Sequence, residues 1–350
     1  MHDILMISVL AMLCGAETFV DFEDFGEAKK EWLSTFLELP NEIPSHDTFG
    51  RVFAAINPRL FSESFMAWTQ ALRQSLNQEI VAIDGKTLRR SHRDGRGPIH
   101  MVSAWARENG LVLGQLKVDE KSNEITAIPQ LLRTLELSNC IVTIDAMGCQ
   151  KQIAAEICNG DADYVLALKG NQGTLHGEVE SFFKDARGRD FKEAPNKRME
   201  HDFYETVEKD HGRIEARRYW ITEAIDWFAD RKDWENLRSV GMVESRREIN
   251  GKESVEVRYF ISSLPAKAKN FANAVRGHWA IENELHWRLD VCFREDDCRI
   301  RAGCAAENMA ILRHLTLNML KRDTTKKRGI KGKQKNAAWD HAYLLSLFRI

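Results

Sequence analysis

The chain has 350 residues, 43% apolar and 29% charged, with a formal net charge of -2. Such a composition describes an ordinary globular protein of one large domain or two to three smaller ones. The charge balance excludes a strong overall field, so any affinity for nucleic acid has to come from local patches. Cysteines at 14, 140, 149, 158, 292, 298 and 304 form no C-x-x-C pair and are odd in number, which points to reduced thiols in a cytoplasmic protein and away from a zinc site. The apolar run Ile4 to Ala16 is too short to span a bilayer and follows "MHD", which lacks Lys or Arg and carries an acid, so it reads as a core helix.

Residues 1–78 are expected to be a helical N-terminal domain. Phe19, Phe22, Phe25, Trp32, Leu33 and Phe36 make one apolar stripe, Pro40 and Pro44 break the chain, Ser45 is a candidate N-cap, and Asn57-Pro58 opens another helix. Such a module suits either a DNA-end reader or a bundle covering the next domain. From Glu79 to residue 199 the pattern changes. "IVAIDG" is a short strand, and "IHMVSAWARENGLVLGQLKVDE" is a hairpin turning at Asn109-Gly110. "EITAIPQLLRTLEL" is helical despite Pro129, "CIVTIDAMGCQ" is a second apolar strand, "KQIAAEICNG" a helix and "DYVLALKGNQ" a third strand. That order predicts a mixed sheet with helices on its faces. Residues 200–264 read as a β-rich insertion with a turn at Asn250-Gly251, and 265–322 as helical apart from a break near "FREDDCRIRAG". Residues 323–350 combine a basic run, read as a solvated and mobile segment, with a closing helix.

Asp84 and Asp145 occupy matched settings, each ending an apolar strand after an isoleucine. A lone acid there is usually a turn former or a helix cap. Two on neighbouring strands would bring their carboxylates together, a costly arrangement unless a cation lies between them. Mg²⁺ accepts such hard oxygen ligands and leaves positions for water and phosphate. Lys86, Arg89, Arg90 and Arg93 follow the first acid and are candidates for holding phosphate. A third acid is sought in "RGHWAIENELHWRLD": on an α-helix His278, Glu282, His286 and Asp290 share one face beside the apolar Ile281, Leu285 and Leu289. His278, Trp279, Asn283, His286 and Trp287 would then donate to phosphates or stack on bases around Glu282. Lys169 and Asn171, after the third strand, are expected at the site's edge.

"VAIDGKTLRRS", "VTIDAMGCQKQIA", "YVLALKGNQ", "HGRIEARRY" and "GHWAIENELHWRLDVCFREDDCRIR" together resemble, in order, the DDE-type transposases of bacterial insertion sequences, in the branch of H-repeat-associated proteins found with Rhs elements. "GAETFVDFEDFGEAKKEWL" and "IPSHDTFGRVFAAINP" fit the same branch, so the resemblance covers nearly the whole chain. It implies an α/β, ribonuclease-H-like catalytic domain that uses Mg²⁺ or Mn²⁺, acts on DNA and works as a homodimer on its element ends. By motif, the catalytic and metal-binding acids would be Asp84, Asp145 and Glu282.

The broader family often places its Glu in a Tyr-x-x-Arg-x-x-x-Glu-x6-Lys pattern. Here those positions hold Val275, His278 and Leu289, with Arg276 or Arg288 as substitutes for a phosphate contact, which leaves a hairpin intermediate open. Members of the branch are expected to carry more residues before the first helix. Two other readings stand beside this one. His278, Glu282 and His286 at i, i+4, i+8 could present one zinc ion with ligands for a different hydrolysis. Alternatively, the chain is a non-catalytic DNA-binding remnant of a mobile element.

Overall fold

The computed structural model describes residues 1–74, 78–92, 97–119, 122–194, 197–198, 200–210, 213–249 and 251–348. Helices come first: α1 (His2–Leu13), α2 (Phe19–Ala28), the single turn α3 (Lys30–Leu33), α4 (His46–Ala55) and α5 (Pro58–Leu72). Strands β1 (Ile80–Thr87), β2 (His100–Ala106) and β3 (Leu111–Lys117) follow, then α6 (Glu124–Thr134), β4 (Ile141–Ile144), α7 (Lys151–Asn159), β5 (Asp163–Leu168) and α8 (Gly173–Gly188). Short strands β6 (Lys192–Ala194) and β7 (Lys197–Arg198) pair with each other, and β8 (Asp202–Asp210), β9 (Arg213–Thr222), β10 (Ser239–Ile249) and β11 (Lys252–Ser262) are longer. The chain ends with α9 (Ala268–Ala280), a π-helix (Ile281–His286), α10 (Trp287–Phe293), α11 (Ala305–Arg322), α12 (Ile330–Trp339) and α13 (His341–Ser346). It divides into two compact units, Met1–Ser75 with Gly85–Asn123 and Ile281–Ile350, and Leu76–Asp84 with Glu124–Ala280.

In the unit that begins at Met1, α11 is buried along most of its length. The Phe22, Phe49 and Phe53 rings, all fully buried, pack together beside it, with Phe22 and Phe49 edge to face. Helix starts follow the sequence cues. Thr18 and Asp21 form a capping box for α2, and Asn57 caps α5 with Pro58 in its first turn. The β2–β3 hairpin turns where expected, with Gly110 at φ +65°, a backbone region that favours glycine. It is held by buried amide clamps: Asn318 on α11 accepts from the Val112 N–H and donates to the Val112 carbonyl, both at 2.9 Å. The basic run is solvated only in part: Lys327, Arg328 and Lys331 are exposed, but Lys333 is not. Chain resumes as helix at Ile330, and the buried Lys333 ammonium donates to the carbonyls of Leu320 and Asp323. A long aliphatic stem can be buried when its charge meets such acceptors, which composition alone does not reveal.

The other unit is a mixed sheet in the order β1-β4-β5-β11-β10-β9-β8. β1, β4 and β5 run parallel, and β11 joins β5 antiparallel. The strands expected as an insertion therefore extend the same sheet by way of β11. α9 lies on this sheet through Phe271, which is fully buried against Tyr219 and Phe260. Gly241 on β10 is required there, because a Cβ would stand 2.5 Å from the Phe271 ring. Parallel strands alternating with helices, continued by antiparallel hairpins, make this the α/β, ribonuclease-H-like class expected from the sequence.

Candidate active site

The parallel register of β1 and β4 pairs Ile83 with Ile144, so the next residues, Asp84 and Asp145, stand level on adjacent strands. Neighbouring strands lie about 4.8 Å apart, and equal register puts both side chains on the same face. Asp145 is also what an acid at a strand end usually is: its carboxylate accepts from the Met147 N–H at 3.0 Å and caps the 3₁₀ turn Ala146–Gly148. The two roles are compatible, because that bond orients the carboxylate. Asn171, just past β5, donates to the Ala146 carbonyl at 2.6 Å, and Gln172 to that of Cys149 at 2.9 Å, so the third strand's exit braces the loop holding Asp145. Lys169 is exposed beside them. Paired carboxylates at strand ends are a hard-oxygen donor set that suits Mg²⁺ or Mn²⁺. The nearby thiol does not compete: burial, with the Asp145 charge adding to it, pushes Cys149 up to about 12, so it stays protonated.

The third acid lies on a segment that departs from the expected straight α-helix. His278, on α9, places Nδ1 3.3 Å from the Thr143 hydroxyl of β4, two residues before Asp145. From Ile281 to His286 the chain winds as a π-helix, a rare geometry found disproportionately at functional sites. Glu282 is exposed, with its Oε2 3.6 Å from His286 Nδ1. The apolar face holds, since Ile281, Leu285 and Leu289 are all buried. His286, expected to face DNA, is buried too, because the change of winding turns it inward. The even i, i+4, i+8 ladder of His278, Glu282 and His286 on one α-helix is therefore not what forms. Trp279 and Trp287 remain 41% and 56% exposed, and the Arg258 guanidinium sits 4.8 Å above the Trp279 ring. Asn283 is exposed. Arg276 pairs with Glu208 at 3.1 Å.

The basic residues after Asp84 have partners within the protein. Lys86, whose side chain is 12% exposed, meets carboxylates of Asp290, Glu295 and Asp296. Burial works to lower its pKa, but Glu295 and Asp290 together hold it above the ordinary value, so it remains an ammonium. Arg89 pairs with Asp296 at 3.1 Å and Arg90 with Asp297 at 3.4 Å. These pairings correct the expectation that Lys86 points to a phosphate backbone, because its donors are directed at carboxylates in a nearly dry place. Arg93 lies outside the described residues.

Basic residues that the sequence reading did not single out line a cleft of about 800 Å³ instead. Arg51 on α4 and Arg294, Arg299 and Arg301 after α10 face it with Arg90, against Glu17, Asp47 and Asp297. Arg301 donates to the Arg90 carbonyl at 2.7 Å. The signal for this cleft was present in the alternating charges of "FREDDCRIR", but its other wall, α4, is remote in sequence.

Two family profiles match the chain: one described as Transposase DDE domain over residues 75–319, and one described as DDE_Tnp_1-associated over residues 1–69. YhhI, an H repeat-associated protein of Escherichia coli (strain K12), is 43% identical over 99% of this chain and 92% of its own length. YncI of Escherichia coli O157:H7 is 42% identical over 98% of this chain and 88% of its own. Among solved structures, a piggyBac transposase synaptic complex with hairpin DNA covers 99% of this chain and 71% of that one at a TM-score of 0.45 and 11% identity.

Proposed function

Since this chain belongs to the DDE-type transposases, in the branch of the H-repeat-associated proteins, we propose that it cuts DNA at the ends of an insertion sequence and joins the freed ends to target DNA. Asp84, Asp145 and Glu282 would hold Mg²⁺ or Mn²⁺, which when bound supplies Lewis-acid stabilisation of the attacking and leaving oxygens of a phosphodiester. The observation that carries this reading is the parallel register that pairs Ile83 with Ile144, the residues immediately before Asp84 and Asp145. Without a cation, two adjacent carboxylates repel.

Other residues would handle the nucleic acid. Asn171 braces the Asp145 loop through the Ala146 carbonyl. Trp279 and Trp287 offer exposed rings on which bases can stack, and Asn283 a side-chain amide for phosphate or base edges. Lys169 and the arginines of the cleft, Arg51, Arg299 and Arg301, would take phosphates. The protein would act on its two element ends as a homodimer.

Replacing Asp84 tests the reading. Asp84→Ala is expected to abolish metal-dependent nicking of element-end DNA while leaving DNA affinity largely intact. Nicking at the wild-type rate would remove Asp84 from the chemistry.

A further inference from the structure

Lys86 is two residues beyond Asp84 on β1, yet its ammonium is spent on acids far along the chain. Asp290 on α10 accepts from it directly, Glu295 Oε2 stands at 3.1 Å and Asp296 Oδ1 at 3.8 Å. Glu295 is itself buried and reaches Arg313 of α11 at 3.7 Å. One point charge thus joins a strand, a helix and the turn that follows the helix. An ammonium with three N–H donors suits three carboxylates in a way that a planar guanidinium does not.

We propose that Lys86 is a positioning residue, fastening the strand that leaves Asp84 to the segment that carries Glu282. Asp290 lies on α10, which continues directly from the π-helix of Glu282, so whatever holds Asp290 also fixes the direction in which that π-helix is aimed. Exposed ion pairs hold little, but a pair this enclosed behaves differently. Removing one partner leaves the others charged and desolvated, and they move apart to reach water. Loss of Lys86 would leave Asp290, Glu295 and Asp296 facing one another, with Arg313 still beside Glu295 and Arg89 beside Asp296. The segment that would shift in response is the one bearing the third acid. This inference rests on the reading of Glu282 as a metal ligand.

The test uses the full chain with Fe²⁺, ascorbate and hydrogen peroxide, in which bound Fe²⁺ reduces peroxide to a hydroxyl radical that cuts the adjacent backbone and ascorbate returns Fe³⁺ to Fe²⁺, followed by fragment mapping. Wild-type protein is expected to be cut near residues 84, 145 and 282. In Lys86→Met the cuts near 84 and 145 persist, and the cut near 282 falls several-fold. The surviving cuts serve as the control that the sheet is folded. Asp290→Asn, which removes one carboxylate and keeps the ammonium, is expected to weaken the same cut less, and it carries the test should Lys86→Met not fold. If both variants are cut near 282 as the wild type is, Lys86 does not position that segment. A wild type cut near none of the three defeats the metal-site reading itself, and the role of Lys86 falls with it.

Discussion

Gly148 closes the 3₁₀ turn that Asp145 caps, and it has no room for a side chain. A Cβ built there would stand 2.3 Å from Ile144 Cγ2, 3.2 Å from Ile144 Cβ and 3.3 Å from Ile128 Cδ1. Both isoleucines are buried, so neither can swing into solvent. Ordinary van der Waals contact begins near 3.4 Å, so Gly148→Ala forces a displacement of roughly 1 Å on the residue immediately before Asp145. Overpacking of this kind costs about 1–3 kcal/mol. A misplacement of about 1 Å in a reacting constellation costs on the order of 10²-fold in rate. Urea unfolding and Mg²⁺-dependent nicking of element-end DNA are the two assays. We expect Gly148→Ala to lose stability in that range and to nick on the order of 10²-fold more slowly. Ile144→Ala in the same chain should relieve part of the loss, with a coupling of about 0.5–3 kcal/mol in a double-mutant cycle. A Gly148→Ala protein that unfolds within about 0.5 kcal/mol of the wild type and nicks at its rate would refute the argument that this loop's packing sets the position of Asp145.

Three more outcomes are expected. His314 is fully buried, and burial chiefly, with help from the charges of His286, Lys86 and Arg313 against the opposing pull of Glu295, lowers its pKa from 6.5 to about 4. Above pH 6.5 both states leave it neutral, and below that value only the unfolded chain takes the proton. Stability present above pH 6.5 is therefore lost as pH falls towards 4, by about 3 kcal/mol in all. His314→Gln should flatten that slope in unfolding measured across the window, and an unchanged slope would remove His314 as its source. At the C-terminal end, Lys333→Met should cost about 1–3 kcal/mol by stripping a donor from two buried carbonyls, whereas Lys327→Ala, on the exposed part of the same basic run, should stay within about 0.5 kcal/mol. In DNA binding, Arg299→Ala and Arg301→Ala should each lower the slope of log affinity against log salt by about 0.9; an unaltered slope would take the cleft out of the DNA path.

The two aspartates were legible because a short β-branched run that stops at an acid is a local signal, and parallel register does the rest. The β2–β3 hairpin was legible for the same reason, with Asn109-Gly110 marking its turn. Helix α8 went unread although Leu175, Val179 and Phe183 are all buried and spaced four apart, since the polar residues between them dilute the pattern. The π-helix could not be read at all. Ile281, Leu285 and Leu289 fit an α-helical stripe, and six residues are too few for periodicity to separate the two windings. Ion-pair partners were least accessible: Lys86 and Asp290 are 204 residues apart, and nothing local to either names the other. A basic run next to a candidate acid therefore looked like a phosphate clamp when Lys86, Arg89 and Arg90 pair with the protein's own carboxylates.

The π-winding has a consequence for how this chain tolerates change in length. Such a segment behaves as an α-helix that has absorbed one surplus residue, and it keeps that residue only where tertiary packing insists on it. Deleting any single position between Ile281 and His286 would let the backbone relax to the commoner coil. Everything after the deletion would then keep its rotational phase relative to everything before, because the tighter winding covers nearly the same angle with one residue fewer. Leu289 would keep its place in the core, and what would change is the direction in which the glutamate is aimed relative to it. A deletion here would thus spare the core and spoil the aim of Glu282, so its effect belongs to the chemistry and not to stability.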